Sequence, residues 1–340
     1  IELINAILEE AGYTTALSST LRFKIGNESE NNTYKMTLPG RFFLQKFLRK
    51  AVNAHCQYAI VELTSEGAKQ FRHKFVALDA LVFTNITPEH IESHGSFENY
   101  LDAKLSIARA LARSSKKRKV LVVNADDTQG EKFLNVNVPE KYPYSLRNAE
   151  PYSLKKEGVE LSIDGTHMTS KLSGEFNIYN ILAAATLSKS QGVGVDTIKR
   201  AVEKFSGIPG RVERIDEGQD FTVVVDYAHT ADSLEKVYDV FTHSRNICVL
   251  GGTGGGRDKW KRPEMGAIAS RYCSHIVLTN EDPYDEDPFQ IIAEIAQGIT
   301  QPVYETIIDR RGAIAAALKL ARTGDTVLII GKVRNYNDEN

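Results

Sequence analysis

Val223-Val224-Val225-Asp226-Tyr227-Ala228-His229-Thr230 is a β-branched run that stops abruptly in polar groups. Such a run reads as a strand buried on both faces. Its polar end marks the carboxyl end of the strand, where open α/β sheets bind their ligands. Asp226 there suits a ribose hydroxyl or a metal, or else it caps the helix that the pattern places at 231–241. Similar apolar runs lie at 59–63, 80–84, 120–124, 221–226, 247–250, 276–279 and 327–330. Helical patterns separate them at 41–54, 97–113, 176–190, 231–241, 263–272, 288–298 and 310–322. That alternation predicts α/β layers built on mostly parallel sheets. Residues 130–175 are polar and turn-rich, and they predict a small β insertion ending at Gly174. Glycine and proline cluster in Phe205-Ser206-Gly207-Ile208-Pro209-Gly210, which predicts a domain seam and hinge.

The bulk properties narrow the field. At 340 residues the chain suggests two or three domains, and 42% hydrophobic content suffices for a sizeable core. A net charge of −2 gives no global reason to expect nucleic acid or an anionic membrane as partner. No apolar run approaches the roughly 18 residues of a membrane span. Cys56, Cys248 and Cys273 show no CxxC spacing, so they read as reduced thiols of a cytoplasmic protein. The chain has no initiator Met and opens inside a helical pattern, with Ile1, Ile4, Ile7, Leu8 and Ala11 on one face. This reads as a piece of a longer protein.

Several segments carry chemistry. Glu62 ends an apolar strand pattern, and a carboxylate there needs an ion-pair partner or a metal. A second strand runs into Thr84-Asn85-Ile86-Thr87-Pro88-Glu89-His90-Ile91-Glu92-Ser93-His94-Gly95, a loop with two histidines. Asn177 and Asn180 share one helical face near a helix start, where they either cap the helix or read a base edge. Leu250-Gly251-Gly252-Thr253-Gly254-Gly255-Gly256-Arg257-Asp258-Lys259-Trp260-Lys261-Arg262-Pro263 is a glycine-rich turn between strand and helix. Backbone N–H groups and four basic side chains suit an anion there, although no G-K-[ST] follows the glycines.

Taken in order, TNITPEHIESHG, NYLDAK, NADD, GEFNIYNILAA, PGRVE, VDYAHT, GRDKWKRP, DR and VLIIGK resemble the Mur ligase family. The resemblance is to the branch of UDP-N-acetylmuramoyl-peptide synthetases that adds the third residue of the peptidoglycan stem, and it spans nearly the whole chain. It implies a central ATP-binding domain over 1–206, a mostly parallel sheet flanked by helices, and a Rossmann-like α/β C-terminal domain over 207–340. By the same resemblance Glu62 and His90 hold Mg²⁺ near the ATP phosphates, and a carbamylated Lys104 supplies a further oxygen ligand. Asn177 and Asn180 contact adenine, while Arg211 and Asp226 serve the phosphates and ribose. Tyr227, His229, Lys259 and Lys261 line the nucleotide side. Thr37, Thr64, Ser65 and Arg72 contact the UDP-sugar peptide. The implied enzyme is a cytoplasmic monomer that joins a UDP-N-acetylmuramoyl peptide to an amino acid through an acyl phosphate, by closure about the hinge.

Three departures from the family pattern stand out. The family's phosphate loop is absent, and helix 1–11 resembles the one that this loop leads into. The loop is therefore expected immediately upstream, and without it the chain should bind ATP poorly and turn over little. Glu281-Asp282-Pro283-Tyr284 stands where diaminopimelate-adding members carry D-N-P-R, so Tyr284 replaces the arginine that grips the distal carboxylate. That disfavours diaminopimelate, and Glu281, Asp282, Asp285 and Glu286 suit a cationic side chain such as lysine. Finally, Gly331-Lys332 is followed by Val333-Arg334-Asn335-Tyr336, an altered or shortened tail. Two rivals remain open at this stage: a folate polyglutamate synthetase, which shares fold and chemistry, and a non-catalytic relic that only binds nucleotide. Sequencing the gene upstream of Ile1 tests the expectation directly. A G-K-[ST] loop there supports the ligase, and its absence supports the relic.

Overall fold

The computed structural model describes residues 1–331 apart from Lys35, His90, Arg257 and Pro302. They form two compact units. One comprises Ile1–Ile86 with Ser96–Ser206, and the other comprises Thr87–Gly95 with the chain from Gly207 onward.

The first unit contains three sheets. β1 (Thr15–Ser18) pairs antiparallel with β2 (Arg22–Ile25), which pairs with β3 (Glu28–Asn31). On its other side β1 runs parallel to β4 (Tyr58–Val61), with Ser18 opposite Val61. A parallel sheet follows in the order β5 (Ala80–Phe83), β6 (Val120–Asn124), β7 (Glu140–Tyr144). The turn-rich region becomes β7 and an antiparallel meander, β8 (Ser153–Lys155), β9 (Gly158–Ile163) and β10 (Thr166–Ser170).

β6 shows why this unit is layered. Its odd-numbered Leu121 and Val123 pack with Leu101, Ala108 and Leu111 of a helix at Phe97–Ala112. Its even-numbered Val120 and Val122 share a core with Ile4 and Ile7 of α1 (Glu2–Glu10) and with Ile178 and Ile181 of a helix at Glu175–Ser190. The strand period of two thus sends alternate side chains into two cores, and burying each such residue contributes about 2 kcal/mol. In chain order the helices are α1, α2 (Arg41–Asn53), α3 (Ser65–Lys69), α4 (Ile91–His94), α5 (Phe97–Ala112), α6 (Gly130–Leu134), α7 (Glu175–Ser190) and α8 (Val195–Lys204). Of these, α4 belongs to the second unit.

The second unit is a six-stranded sheet. Its order is β11 (Glu213–Ile215), β12 (Thr222–Asp226), β16 (Thr326–Ile330), β13 (Asn246–Leu250), β14 (His275–Leu278), β15 (Tyr304–Thr306). Only β11 is antiparallel to its neighbour. From β12 the chain steps outward through α9 (Ala231–Asp239), α10 (Lys261–Tyr272) and α11 (Pro288–Ala296), then returns through α12 (Arg310–Leu320) to β16 in the middle. Right-handed crossovers therefore put α9, α10 and α11 on one face and α12 on the other. The cores agree. Leu234, Met265 and Ile291 pack on Val224, Cys248 and Leu328, whereas Ala313 and Ala317 pack on Val223, Val249 and Val327.

Two features differ from the sequence reading. Cys248 on β13 and Cys273, just past α10, are bonded, with their Cα atoms 6.0 Å apart, so the expectation of reduced thiols holds only for Cys56. The chain leaves α10 directly over β13, which the 25-residue separation of the two cysteines does not reveal. The sequence reading also kept Thr87–Gly95 within the first domain, whereas that segment groups with the second unit.

The α10–α11 contact depends on glycine. A Cβ at Gly266 would lie 2.0 Å from the Ile295 carbonyl oxygen, so the helices pack backbone to backbone. Gly266→Ala is expected to destabilise the second unit by about 1–3 kcal/mol, read as a lower urea midpoint.

Candidate active site

The first unit gathers predicted residues at the carboxyl ends of β1 and β4. Both carboxylate oxygens of Glu62 are held by one residue. Oε2 accepts the Thr20 backbone N–H at 2.8 Å, and Oε1 accepts the Thr20 hydroxyl at 3.0 Å. The Thr20 hydroxyl also lies 2.9 Å from that of Thr37, so the Mg²⁺ candidate and a substrate candidate are brought together. The Arg72 guanidinium donates to the Leu38 carbonyl, next to Thr37, and to Gln70. The Thr64 hydroxyl caps α3 by accepting the Gly67 N–H at 3.0 Å, and Ser65 is buried behind it. Thr20 was not foreseen. Its only signal is its place just past β1, a strand of four residues without a strong pattern.

Lys104 sits on α5, half-buried, with its ammonium 5.3 Å from the centre of the Tyr100 ring. α5 packs against α3, which follows Glu62 in the chain. His90 lies outside the described residues, as do Arg257 and Lys332.

At the carboxyl ends of β5 and β6, Asn124 donates to the Thr84 carbonyl at 2.8 Å. Asp127 accepts the Ile86 N–H at 2.9 Å, and Asp126 accepts the Leu146 N–H and the Tyr179 hydroxyl. Burial and Asp126 push the Tyr179 phenol well above its ordinary range, so it remains a donor. At the start of α7, Asn177 is buried and donates to the Ser173 carbonyl at 2.8 Å. Asn180 is exposed and donates to Asn177 Oδ1 at 3.0 Å. No side chain caps this helix at Gly174, which removes capping as the explanation for the pair. Asn177 anchors, and Asn180 presents its amide to solvent.

The second unit builds its site beyond β12, β13 and β14. Asp226 is buried, and its oxygens accept the N–H groups of Val212 at 2.7 Å and Ala228 at 2.6 Å. Burial raises its pKa, and these two bonds and Arg211 oppose the rise. Asp226 thus clips the turn before β11 onto the end of β12; the cap of α9 is Thr230 instead. The Arg211 guanidinium stacks 4.6 Å from the centre of the Tyr227 ring. His229 Nδ1 lies 3.0 Å from the Tyr227 carbonyl oxygen. Glu89 Oε1 stands 3.5 Å from His229 Nε2 and 3.7 Å from Lys261 Nζ. Burial lowers the His229 pKa, and Glu89 works against that. A small cleft here is lined by His229, Gly252, Thr253, Lys261, Met265 and Glu281.

Two expectations about the glycine-rich turn need correcting. Its glycines serve packing first: a Cβ at Gly254 would lie 2.2 Å from the Pro283 carbonyl oxygen, and one at Gly255 would meet the Tyr284 ring. The Gly254 N–H donates to the Asp282 carbonyl, so the turn is seated on the Glu281–Tyr284 segment. Nor are its cations all available for an anion. Arg262 is 2% exposed and bonds Glu286 at 3.0 Å and Glu294 at 2.6 Å, and Lys259 pairs with Glu286 at 3.1 Å. Two of the four carboxylates expected to receive a cationic substrate are engaged as well: Glu286 by these cations, and half-buried Glu281 by the Thr253 hydroxyl.

Among the described residues, no group of three or more His, Cys, Asp or Glu is placed to hold a metal. Glu62 nonetheless fits as a single oxygen ligand. A carboxylate keeps lone pairs beyond the two bonds that Thr20 makes, and Mg²⁺ commonly takes one or two carboxylates, with water and phosphate completing its shell.

Comparison with known proteins decides the family. The Mur ligase middle domain model matches residues 1–188, and the Mur ligase, glutamate ligase domain model matches residues 210–333. The chain belongs to the Mur ligase family. The UDP-N-acetylmuramoyl-L-alanyl-D-glutamate–2,6-diaminopimelate ligase of Syntrophomonas wolfei is 35% identical over 97% of this chain and 70% of its own length. The UDP-N-acetylmuramyl-tripeptide synthetase of a Roseiflexus species is 37% identical over the same shares. A solved diaminopimelate ligase structure is 28% identical with a TM-score of 0.65, covering 98% of this chain and 70% of that one. Mycobacterium tuberculosis folylpolyglutamate synthase superposes with a TM-score of 0.77 at 16% identity, covering 97% and 84%, which shows the fold alone. As a Mur ligase the chain is an acid–amino acid ligase of a family that uses ATP.

Arg262 is the keystone of the C-terminal site. Arg262→Met should cost about 3 kcal/mol at neutral pH, because two carboxylates lose their buried partner. Burial alone would raise the Glu286 pKa, but Lys259 and Arg262 hold it below the ordinary range. A depressed carboxylate stabilises the fold above its unfolded pKa, and that stability is lost as pH falls through the folded value. The gap between the two proteins in urea unfolding should therefore narrow below about pH 4.5, the ordinary carboxylate value.

Proposed function

We propose that this Mur ligase joins the peptide carboxylate of UDP-N-acetylmuramoyl-L-alanyl-D-glutamate to the amine of an incoming amino acid, using ATP, in cytoplasmic peptidoglycan precursor synthesis. The observation that carries this is similarity over 97% of the chain to ligases named for that acceptor. The 16% likeness to folylpolyglutamate synthase carries no comparable weight.

In this reading the peptide carboxylate attacks the γ-phosphorus of ATP in line, ADP leaves, and an acyl phosphate forms. The amine then attacks the acyl carbon, inorganic phosphate leaves, and the amine gives up a proton. Positioning and charge neutralisation dominate such chemistry. Glu62, with Lys104 if carbamylated, would hold Mg²⁺, which when bound neutralises phosphate charge. Thr20 fixes the Glu62 carboxylate by two hydrogen bonds, so that group is preorganised. Thr37 and Arg72 stand close by for the sugar-peptide. Asn180 offers its exposed amide to adenine, braced by Asn177. His229, Lys261 and Arg211 suit the nucleotide's anionic part, and Lys259 and Asp226 act behind them by fixing loops.

The relatives named for diaminopimelate favour that amino acid, whereas Tyr284 offers no guanidinium for a distal carboxylate. The reading that fits both is a diamino acid, with or without a distal carboxylate, because no guanidinium at position 284 grips one. Ligation assays with an amino-acid panel should show lysine accepted at least as well as diaminopimelate. Exclusive use of diaminopimelate would refute the reading of Tyr284 while leaving the ligase intact. Lys104→Ala should abolish ligation, with partial recovery in formate; unchanged activity would exclude the carbamate role.

A further inference from the structure

The chain between Asn31 and Val61 contains no acidic residue, yet it carries Arg41, Lys46, Arg49 and Lys50 on α2 alone. α2 buries Leu44, Phe47 and Ala51 against its own unit. The opposite side exposes all four cations, and among them stand Phe42, 91% exposed, and Val52, 61% exposed. At 100° per residue these side chains span one half of the helix, so the cations and the two apolar groups share one face. The loop after α3 adds to the same surface. Gln45 of α2 donates to the Phe75 carbonyl at 3.3 Å, and Phe75 is 83% exposed. Phe75 has φ 67°, and Phe71, 52% exposed, has φ 53°. The left-handed region is unfavourable for bulky side chains, so the backbone bears strain to hold two phenylalanines outward. No further acid appears between Glu66 and Asp79, a stretch that carries Lys69, Arg72 and Lys74.

We propose that the outer face of α2, with Phe42 and Phe75, docks the enzyme on an anionic lipid surface. Charge complementarity selects an anionic partner, and the protruding phenylalanines select one with an apolar interior just below its charges. Interfacial helices bind in this way, with cations at the headgroups and aromatic groups at the acyl boundary. The whole-chain charge of −2 gives no such attraction, so the binding is a property of this face. Each basic side chain near an anionic leaflet strengthens binding by about fivefold. The contact is peripheral, since no helix of the described residues is long and apolar enough to cross a membrane.

The test is co-sedimentation of the full chain with phosphatidylglycerol–phosphatidylcholine vesicles, with pure phosphatidylcholine vesicles as control. Binding is expected only to the anionic vesicles, and it should weaken steeply with added salt. The combined variant Lys46→Glu, Arg49→Glu, Lys50→Glu should bind at least ~100-fold more weakly. Phe42→Ser should lose about tenfold. All changes are at exposed positions, so the thermal midpoint should stay with the parent, and Phe75→Ser provides an independent variant. No binding, equal binding to neutral vesicles, or anionic binding untouched by the charge reversal would each overturn the proposal. Tighter binding to single-stranded RNA than to vesicles would also overturn it, in favour of a nucleic-acid surface.

Discussion

A carboxylate drawn partly out of water at the end of a parallel strand gathers donors around it. Removing its charge from water is costly unless donors meet it. Glu62 resolves this by accepting the N–H and the hydroxyl of Thr20 from the neighbouring strand end. The same solution recurs at the other parallel sheets. Asp127 accepts the Ile86 N–H beyond β5 and β6, and Asp226 accepts those of Val212 and Ala228 beyond β12. The Glu62 and Asp127 bonds join loops that leave neighbouring strands, and the Asp226 bonds tie the turn into β11 and the loop out of β12 to the end of β12. The loops that carry Thr37 and His229 thus start at strand ends, where an open α/β sheet offers its ligand crevice.

The second unit adds a constraint of packing. The glycine-rich turn after β13 lies against the segment after β14 so closely that a Cβ at Gly254 would overlap the Pro283 carbonyl oxygen. Arg262, at the first turn of α10, then reaches back to Glu286 and Glu294 and locks that segment. Two ion clusters stand in this region, Arg262 and Lys259 with Glu286 and Glu294, and Glu89 with His229 and Lys261. Cations that look like a phosphate cradle in sequence are partly the scaffold of one.

The strands most legible in sequence were those buried on both faces. The predicted 120–124 coincides with β6, and 221–226 differs from β12 by one residue, because continuous β-branched runs have few alternatives. β1, β2 and β3 were not seen. Each is four residues long, and β3 is exposed throughout, so neither length nor alternation marks them. Missing β1 meant missing Thr20. The amphipathic helix α8, one short run among polar residues, was overlooked as well. Chemistry at strand ends was legible because polar groups interrupt apolar runs: Glu62, Asp226 and His229 all announce themselves in that way. What was hidden depends on distant parts of the chain meeting: the Cys248–Cys273 bond, the burial of Arg262, and Glu89 beside His229 and Lys261. No local pattern encodes such pairings.

Activation of a peptide carboxylate as an acyl phosphate is the step proposed for this framework. The direct measurement is ligation of UDP-N-acetylmuramoyl-L-alanyl-D-glutamate labelled with ¹⁸O in the acceptor carboxylate, followed by mass analysis of the released inorganic phosphate. The account predicts that label passes from the carboxylate into the phosphate as the amide forms. Amide formation with unlabelled phosphate would contradict it.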